Sequence, residues 1–379
     1  MGQICTYLES ITQDITKMKT NNLTTLFMCL LLILSFSTLA QVNIPRGSQQ
    51  ATMSQRIGIS DVSITYSRPS VKDREIWGKL VPYGMNNLGF GTSTAAPWRA
   101  GANENTTITF THNAKLEGKA VKAGTYGLHV ELIDADNATI ILSHDANAWG
   151  SYFYDASKDA LRAEVKTKTI SHKELLTYEV NDIQPTFAIV SLVWEKKEIP
   201  FKVEFDVTNI VLNEFRDKSI GNLGFNRQNW ENMARFSLNN GGDLNEALSW
   251  INGAIAGNFY SQKTFNNLAI KGQILNKLGK TQEYAALMDE ASTMANKNQL
   301  NAIGYQMIAS KDYNRALKYF KLNVKNHPKD ANSYDSLGEC YKTMGDKKNA
   351  IKYLKKALSL NPPANVKANS EKLLKELEA

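Results

Sequence analysis

The chain runs to 379 residues, 42% of them apolar and 21% charged, which are the proportions of a folded globular protein and exclude a wholly disordered or fibrous chain. The formal charge of +7 is unevenly placed: residues 41–213 hold 18 basic and 19 acidic side chains, and residues 214–379 hold 24 and 16. Basicity is therefore a property of the C-terminal half, and the high overall pI does not mark the whole chain as a polyanion binder.

The first segment reads as a leader. Lys17 and Lys19 precede a short apolar run from Leu26 to Phe36, and Thr38 and Ala40 then supply small side chains at the −3 and −1 positions of a cleavage site. This pattern predicts a secretory signal peptide over residues 1–40, with Met18 a candidate start. The run is too short to cross a bilayer core of about 30 Å as a helix. Cleavage after Ala40 removes Cys5 and Cys29 and leaves Cys340 alone, so no internal disulfide is available and core burial must hold the exported product together. No later run has spanning length, so no stable membrane insertion is expected after processing. The expected location is the periplasm or the cell surface.

After a linker over 41–54, residues 55–213 have period two. Ile57, Ile59, Val62, Ile64 and Tyr66 open the pattern, with a slip at Ser60–Asp61 that suggests a bulge. Thr106–Thr111 alternates. Tyr126, Leu128, Val130 and Leu132 share one strand face, and Asp134–Asn137 supplies turn chemistry before a partner strand over Ala138–Ser143. Asp155–Ala163 suggests one short helix, and Thr186–Trp194 with Pro200–Val211 suggests a final hairpin around Glu195–Glu198. Six or more short strands with polar turns predict an antiparallel β-sandwich or open barrel.

From about residue 214 the period becomes helical. After a linker or first helix over 214–229, Gly304, Ala316, Phe320 and Pro328 recur as Gly338, Ala350, Leu354 and Pro362 at an offset of thirty-four, the tetratricopeptide repeat length. Weaker copies carry Gly272, Leu275, Gly279 and Ala291, with Tyr284 in a small-residue slot, and Trp230, Ala234, Gly241, Ala247, Ile251 and Ala254. About four repeats over 230–364, then a capping helix over 365–379, predict an all-α solenoid behind the β-domain. The groove positions of such an array include Glu231, Arg235, Asn298, Asn301, Tyr305 and Asp335. Amides among them can bond the backbone of an extended peptide without demanding one sequence. Lysine stripes at Lys318, Lys321 and Lys325 and at Lys348, Lys352 and Lys355 fall on second helices. A nucleic-acid surface would want interleaved arginines and stacking aromatics together with access to nucleic acid, and export argues against that access, so no nucleic-acid partner is expected.

There is no Gly-rich phosphate loop, G-x-S-x-G elbow, H-E-x-x-H or paired C-x-x-C, and no cofactor is expected. Two β-domain clusters can carry chemistry. His129 and Glu131 share a strand face within reach of His144, a weak metal set. Trp98, Arg99 and Asn103, with Trp149, Tyr152 and Asp155, gather aromatics beside a guanidinium, an amide and a carboxylate, which can bind a ligand by stacking and directed hydrogen bonds. An alternative is that Arg99 pairs with Asp155 to tie two loops together.

The runs Val81–Pro82–Tyr83–Gly84, Trp98 to Glu104, Ala123 to Leu128, and Trp149–Gly150 through Tyr154–Asp155 to Leu161–Arg162 resemble an exported bacterial family, domain-of-unknown-function family 2911, over about residues 50–210. Met85–Pro97 intervenes between the first two motifs, where family members run more directly. The resemblance implies one compact exported β-domain and confers no activity. The functional expectation is a non-enzymatic interaction protein whose repeat groove binds a peptide or protein partner, the β-domain serving as a second binding or positioning module. The competing expectation is a metal-assisted hydrolase or a carbohydrate-binding or carbohydrate-active β-domain.

Overall fold

The structure, a computed structural model, describes residues 45–379; the leader and its cleavage site at Ala40 lie outside the described residues. Strands β1 (Gln50–Ile57) and β2 (Ser60–Ser67) form a hairpin closed by Gly58–Ile59. The stretch expected to be one bulged strand is thus two strands. The turn needs a left-handed residue, and Gly58 supplies it at φ +60.

Eight further strands follow: β3 (Ala102–Phe110), β4 (Ala114–Leu116), β5 (Lys119–Val121), β6 (Gly124–Leu132), β7 (Asn137–Ser143), β8 (Asp159–Lys166), β9 (Lys168–Ile183) and β10 (Phe187–Phe205). They make a six-stranded sheet, β1-β2-β3-β6-β7-β8, and a four-stranded sheet, β5-β4-β10-β9, with every named pair antiparallel. Ile64, Ile108, Leu128 and Leu142 of the first sheet meet Leu116, Leu192, Phe201 and Val203 of the second in one fully buried core. Alternation puts these side chains on the inner faces, and the fold is a sandwich.

Two local expectations are corrected. Asp155–Ala163 holds only a 3-10 turn, Ala156–Lys158, because β8 starts at Asp159 and pairs with β7. Glu195–Glu198 is not the tip of a hairpin. β10 runs straight through it beside β9, and Glu195 at φ +51 bulges the strand between register shifts. Nor does the last strand reach Val211. Asp206 accepts from the Asn209 amide and starts helix α1 (Val207–Lys218), a carboxylate N-cap.

The helical region continues with paired helices: α2 (Arg227–Asn240) with α3 (Leu244–Ile255), α4 (Phe265–Lys277) with α5 (Thr281–Ser292), α6 (Lys297–Ala309) with α7 (Tyr313–Asn326), and α8 (Ala331–Thr343) with α9 (Lys347–Leu358), then α10 (Ala364–Glu378). The recurring glycines are required by sterics. A Cβ on Gly304 would stand 2.5 Å from the Phe320 ring, and one on Gly338 2.7 Å from Leu354. The small residue lets each helix pair close on its own large side chain. Among the described residues no helix is long and apolar enough to cross a membrane.

Candidate functional site

The Trp98–Glu104 run is pinned to the sandwich by its backbone. β3 pairs with β6 only as far as Gly127. Beyond that point Trp98 takes over as partner, exchanging both backbone hydrogen bonds with Val130 at 2.9 and 2.8 Å. Ala100 and Asn103 hold left-handed backbone, φ +51 and +61, a conformation costly for non-glycine residues. The Tyr178 hydroxyl and the Thr106 hydroxyl both donate to Ala100 O, at 3.0 and 3.2 Å, which holds the kink in place.

Beside this run opens a cavity of about 420 Å³. Trp98, Arg99, Tyr152, Ser151 and Trp194 line it, together with Asn86, Leu88, Ala96 and Pro97 from the Met85–Pro97 stretch. That stretch is a flap. Asn86 and Ala96 exchange backbone hydrogen bonds, the Ser93 amide donates to Tyr152 O at 3.0 Å, and Phe90 packs on Tyr152 and Phe153. Trp98 stacks on Trp194 at 6.0 Å, and Trp77 meets both edge-on at 5.8 and 5.9 Å.

Three of the six residues expected at this site come together here. Arg99 lies over the Tyr152 ring at 4.8 Å and Trp98 forms a wall. Asn103 supports from behind, its carbonyl accepting from Arg99 Nη1 at 2.5 Å and its amide donating to Ser48 O at 2.9 Å. Trp149 faces outward with Arg46 above its ring, and Asp155 is exposed, capping the 3-10 turn through Ser157. The alternative Arg99–Asp155 tie is not made. Asp155 is held below the usual carboxylate range by its Ser157 hydrogen bonds.

The weak metal set does not converge. His129 is 2% exposed and its Nδ1 meets Ser151 Oγ at 3.0 Å. Glu131 pairs with Arg162 at 2.6 Å, and His144 lies on Tyr126. β6–β7 register sets His129 opposite Ile141, so the partner strand brings no third ligand beside it. No group of three His, Cys, Asp or Glu side chains that could hold a metal occurs among the described residues. Burial, and then the Arg99 charge, push His129 down to about 4, so its imidazole is neutral at neutral pH. Sequence reasoning assigned no role to Ser151, although it stands within the Trp149–Asp155 run, and missed Trp194, which stands in no motif and which only the fold brings to the cavity.

In the repeat array the six groove residues divide. Arg235 and Asn298 are exposed and Asn301 is partly so. Glu231 and Asp335, expected to line the groove, are each 4% exposed. Glu231 accepts from Asn267 at 3.2 Å and pairs with Arg227 at 3.0 Å. Asp335 accepts from Ser370 and, at 2.9 Å, from Asn369 of α10, and burial raises its carboxyl above the usual range. Tyr305 donates to Glu339 at 2.8 Å, and burial raises its phenol. Neighbouring first helices stand close enough to bond each other, so these polar groups form a ladder along the array: Tyr305–Glu339, Asp335–Asn369 and Lys342–Glu376, each thirty-four residues apart.

The fold and these two surfaces define the class: a β-sandwich carrying an aromatic-walled cavity, joined to a tetratricopeptide repeat array, a scaffold of protein interaction. Residues 48–203 match the profile of a family described as "Protein of unknown function (DUF2911)", and residues 331–363 match the tetratricopeptide repeat profile. No curated protein matches the chain. Solved structures similar to part of it include MamA from Desulfovibrio magneticus RS-1, at 21% identity over 41% of this chain and 92% of that one, with a TM-score of 0.28. PcrH from Pseudomonas aeruginosa shows 16% identity over 30% and 92%, with a TM-score of 0.25. YrrB, described as a TPR protein with an unusual peptide-binding site, shows 14% identity over 44% and 89%, with a TM-score of 0.29.

Proposed function

We propose that the protein is exported and works as a non-enzymatic interaction protein, its repeat groove holding an extended segment of a protein partner and its β-sandwich acting as a second binding module. The observation that carries this reading is the row Arg235, Gln273, Asn298 and Asn301 on successive first helices. Each is exposed or partly exposed, and none has a side-chain hydrogen bond or ion pair among the described residues, whereas the deeper ladder beside them is satisfied. The amides of that row can both donate to and accept from the backbone of an extended peptide. The charged start, apolar centre and small-residue exit of residues 1–40 support export.

The test is a peptide selection on the whole chain from a random display library, followed by calorimetric titration of the best binders. Two lost amide hydrogen bonds in the Asn298→Ala, Asn301→Ala double variant should weaken binding by about 10-fold or more, with helical content unchanged. Binders that keep full affinity for that variant place the interaction elsewhere and sink the groove assignment. Fusing residues 1–45 to a reporter active only outside the cytoplasm tests export, an inactive fusion counting against it.

A further inference from the structure

The cavity beneath the Met85–Pro97 flap has a one-sided charge. Two guanidinium groups line it, Arg74 and Arg99, and no acidic side chain does. Arg74 is engaged with the backbone, donating to Val71 O at 3.0 Å and to Ser70 O at 2.5 Å. Arg99 is different. It is partly buried, its one hydrogen bond among the described residues runs from Nη1 to Asn103 O, and no carboxylate of those residues forms an ion pair with it. A cation withdrawn from water is ordinarily paired.

The guanidinium is also fixed in place. One face lies over the Tyr152 ring at 4.8 Å. Gly150 lies so close that a Cβ there would stand 2.2 Å from Arg99 Cζ. Gly150 at φ +63 takes a left-handed backbone that glycine adopts freely, whereas Asn103 at φ +61 carries a conformation costly for a non-glycine residue. A planar, pre-oriented fork with donors to spare is suited to bind an oxyanion. The neighbouring His129 is neutral because burial and the Arg99 charge depress its pKa, so it does not share the cationic role. Behind the fork the Trp98 and Trp194 rings form an apolar wall, and the volume of about 420 Å³ suits a small molecule.

We propose that this cavity binds a small organic anion, a carboxylate or phosphate group on an aromatic or similarly apolar body, with Arg99 taking the oxyanion and the Trp98–Trp194 wall taking the body. Two guanidinium groups and no carboxylate in the lining favour an anion over a neutral ligand. This inference rests on the reading of the sandwich as a binding module and is independent of the repeat groove.

Benzoate, phenyl phosphate and neutral benzyl alcohol, titrated into the whole chain by tryptophan fluorescence at low salt, provide the test. Either anion should bind at least about 10-fold more tightly than the alcohol, and Arg99→Met should remove that preference; Arg74→Met should change it far less. Equal binding of anion and alcohol, or a preference that survives in folded Arg99→Met, overturns the anion assignment while leaving the sandwich as a binding module. No binding of any probe overturns both. If Arg99→Met does not fold, the comparison of charged and neutral probes on the unmodified chain still decides the matter.

Discussion

Acidification should loosen the sandwich through one side chain. His129 is 2% exposed and held down to about 4, against an ordinary value of 6.5, by burial and then by Arg99. In the unfolded chain the imidazole takes up its proton near its ordinary value; in the fold it takes it up only near 4. Between those values the unfolded state binds more protons, so this contribution to stability is complete above about pH 6.5 and is lost as pH falls toward 4. Linkage over that window gives a loss of about 3 kcal/mol in full, and about 2 kcal/mol between about pH 7 and 4.5. The assay is urea unfolding read by hydrogen–deuterium exchange of peptides from β6 and β7, which separates the sandwich from the repeats. It is run at both pH values on the unmodified chain and on His129→Gln, which keeps a partner for Ser151 but does not titrate. The unmodified chain should lose about 2 kcal/mol more than the variant. Equal losses would refute the assignment, because carboxylates such as Asp61 and Glu104, held low by their arginine and backbone partners, titrate in both.

Gly304→Ala should lower the thermal midpoint of the helical transition in circular dichroism, by an overpacking cost of about 1–3 kcal/mol, since its Cβ would stand 2.5 Å from the Phe320 ring. Gly150→Ala should leave the repeats untouched and weaken capture of benzoate or phenyl phosphate, because the new methyl occupies the place of the Arg99 guanidinium; fluorescence titration reads it. Asp335→Ala should strand the Ser370 hydroxyl and Asn369 amide at about 1–3 kcal/mol, seen as faster amide exchange in α10. Cys340 is fully buried with its thiol pushed up to about 11 by burial, so iodoacetamide should label it slowly in the folded chain and fast in denaturant, as peptide mapping will show.

The repeat array was legible because its constraints are local: Gly304 and Gly338 admit no Cβ, and such positions recur at a fixed spacing. Sandwich strands were legible where alternation is clean, as in β6 and β7. β9 escaped notice because most of its residues are exposed and polar, from Lys168 to Lys173 above all. Its strand character comes from pairing along β10, which no local pattern announces. The same pairing carries β10 through Glu195, where the charged run reads as a turn. At the site, aromatic and arginine clustering pointed to Trp98, Arg99 and Tyr152, but the Met85–Pro97 flap and Trp194 join them only in three dimensions. Glu231 and Asp335 were misplaced for a related reason. Groove positions follow from helical phase, whereas burial depends on the separation of neighbouring first helices, which spacing along one helix does not encode.

The ladder that joins Tyr305 to Glu339, Asp335 to Asn369 and Lys342 to Glu376 fixes the order in which the repeats follow one another. Each rung joins homologous positions that carry different residues in neighbouring units, so excising residues 331–364 sets Tyr305 against Leu373 and Ile308 against Glu376 and re-forms none of them. Adding a single residue within a first helix turns the positions that follow it in that helix by about 100° and misaligns the rungs they carry. The links of this string are therefore not interchangeable: each first helix is written for the neighbour it has, and the order of the units is as much a part of the sequence's message as their spacing.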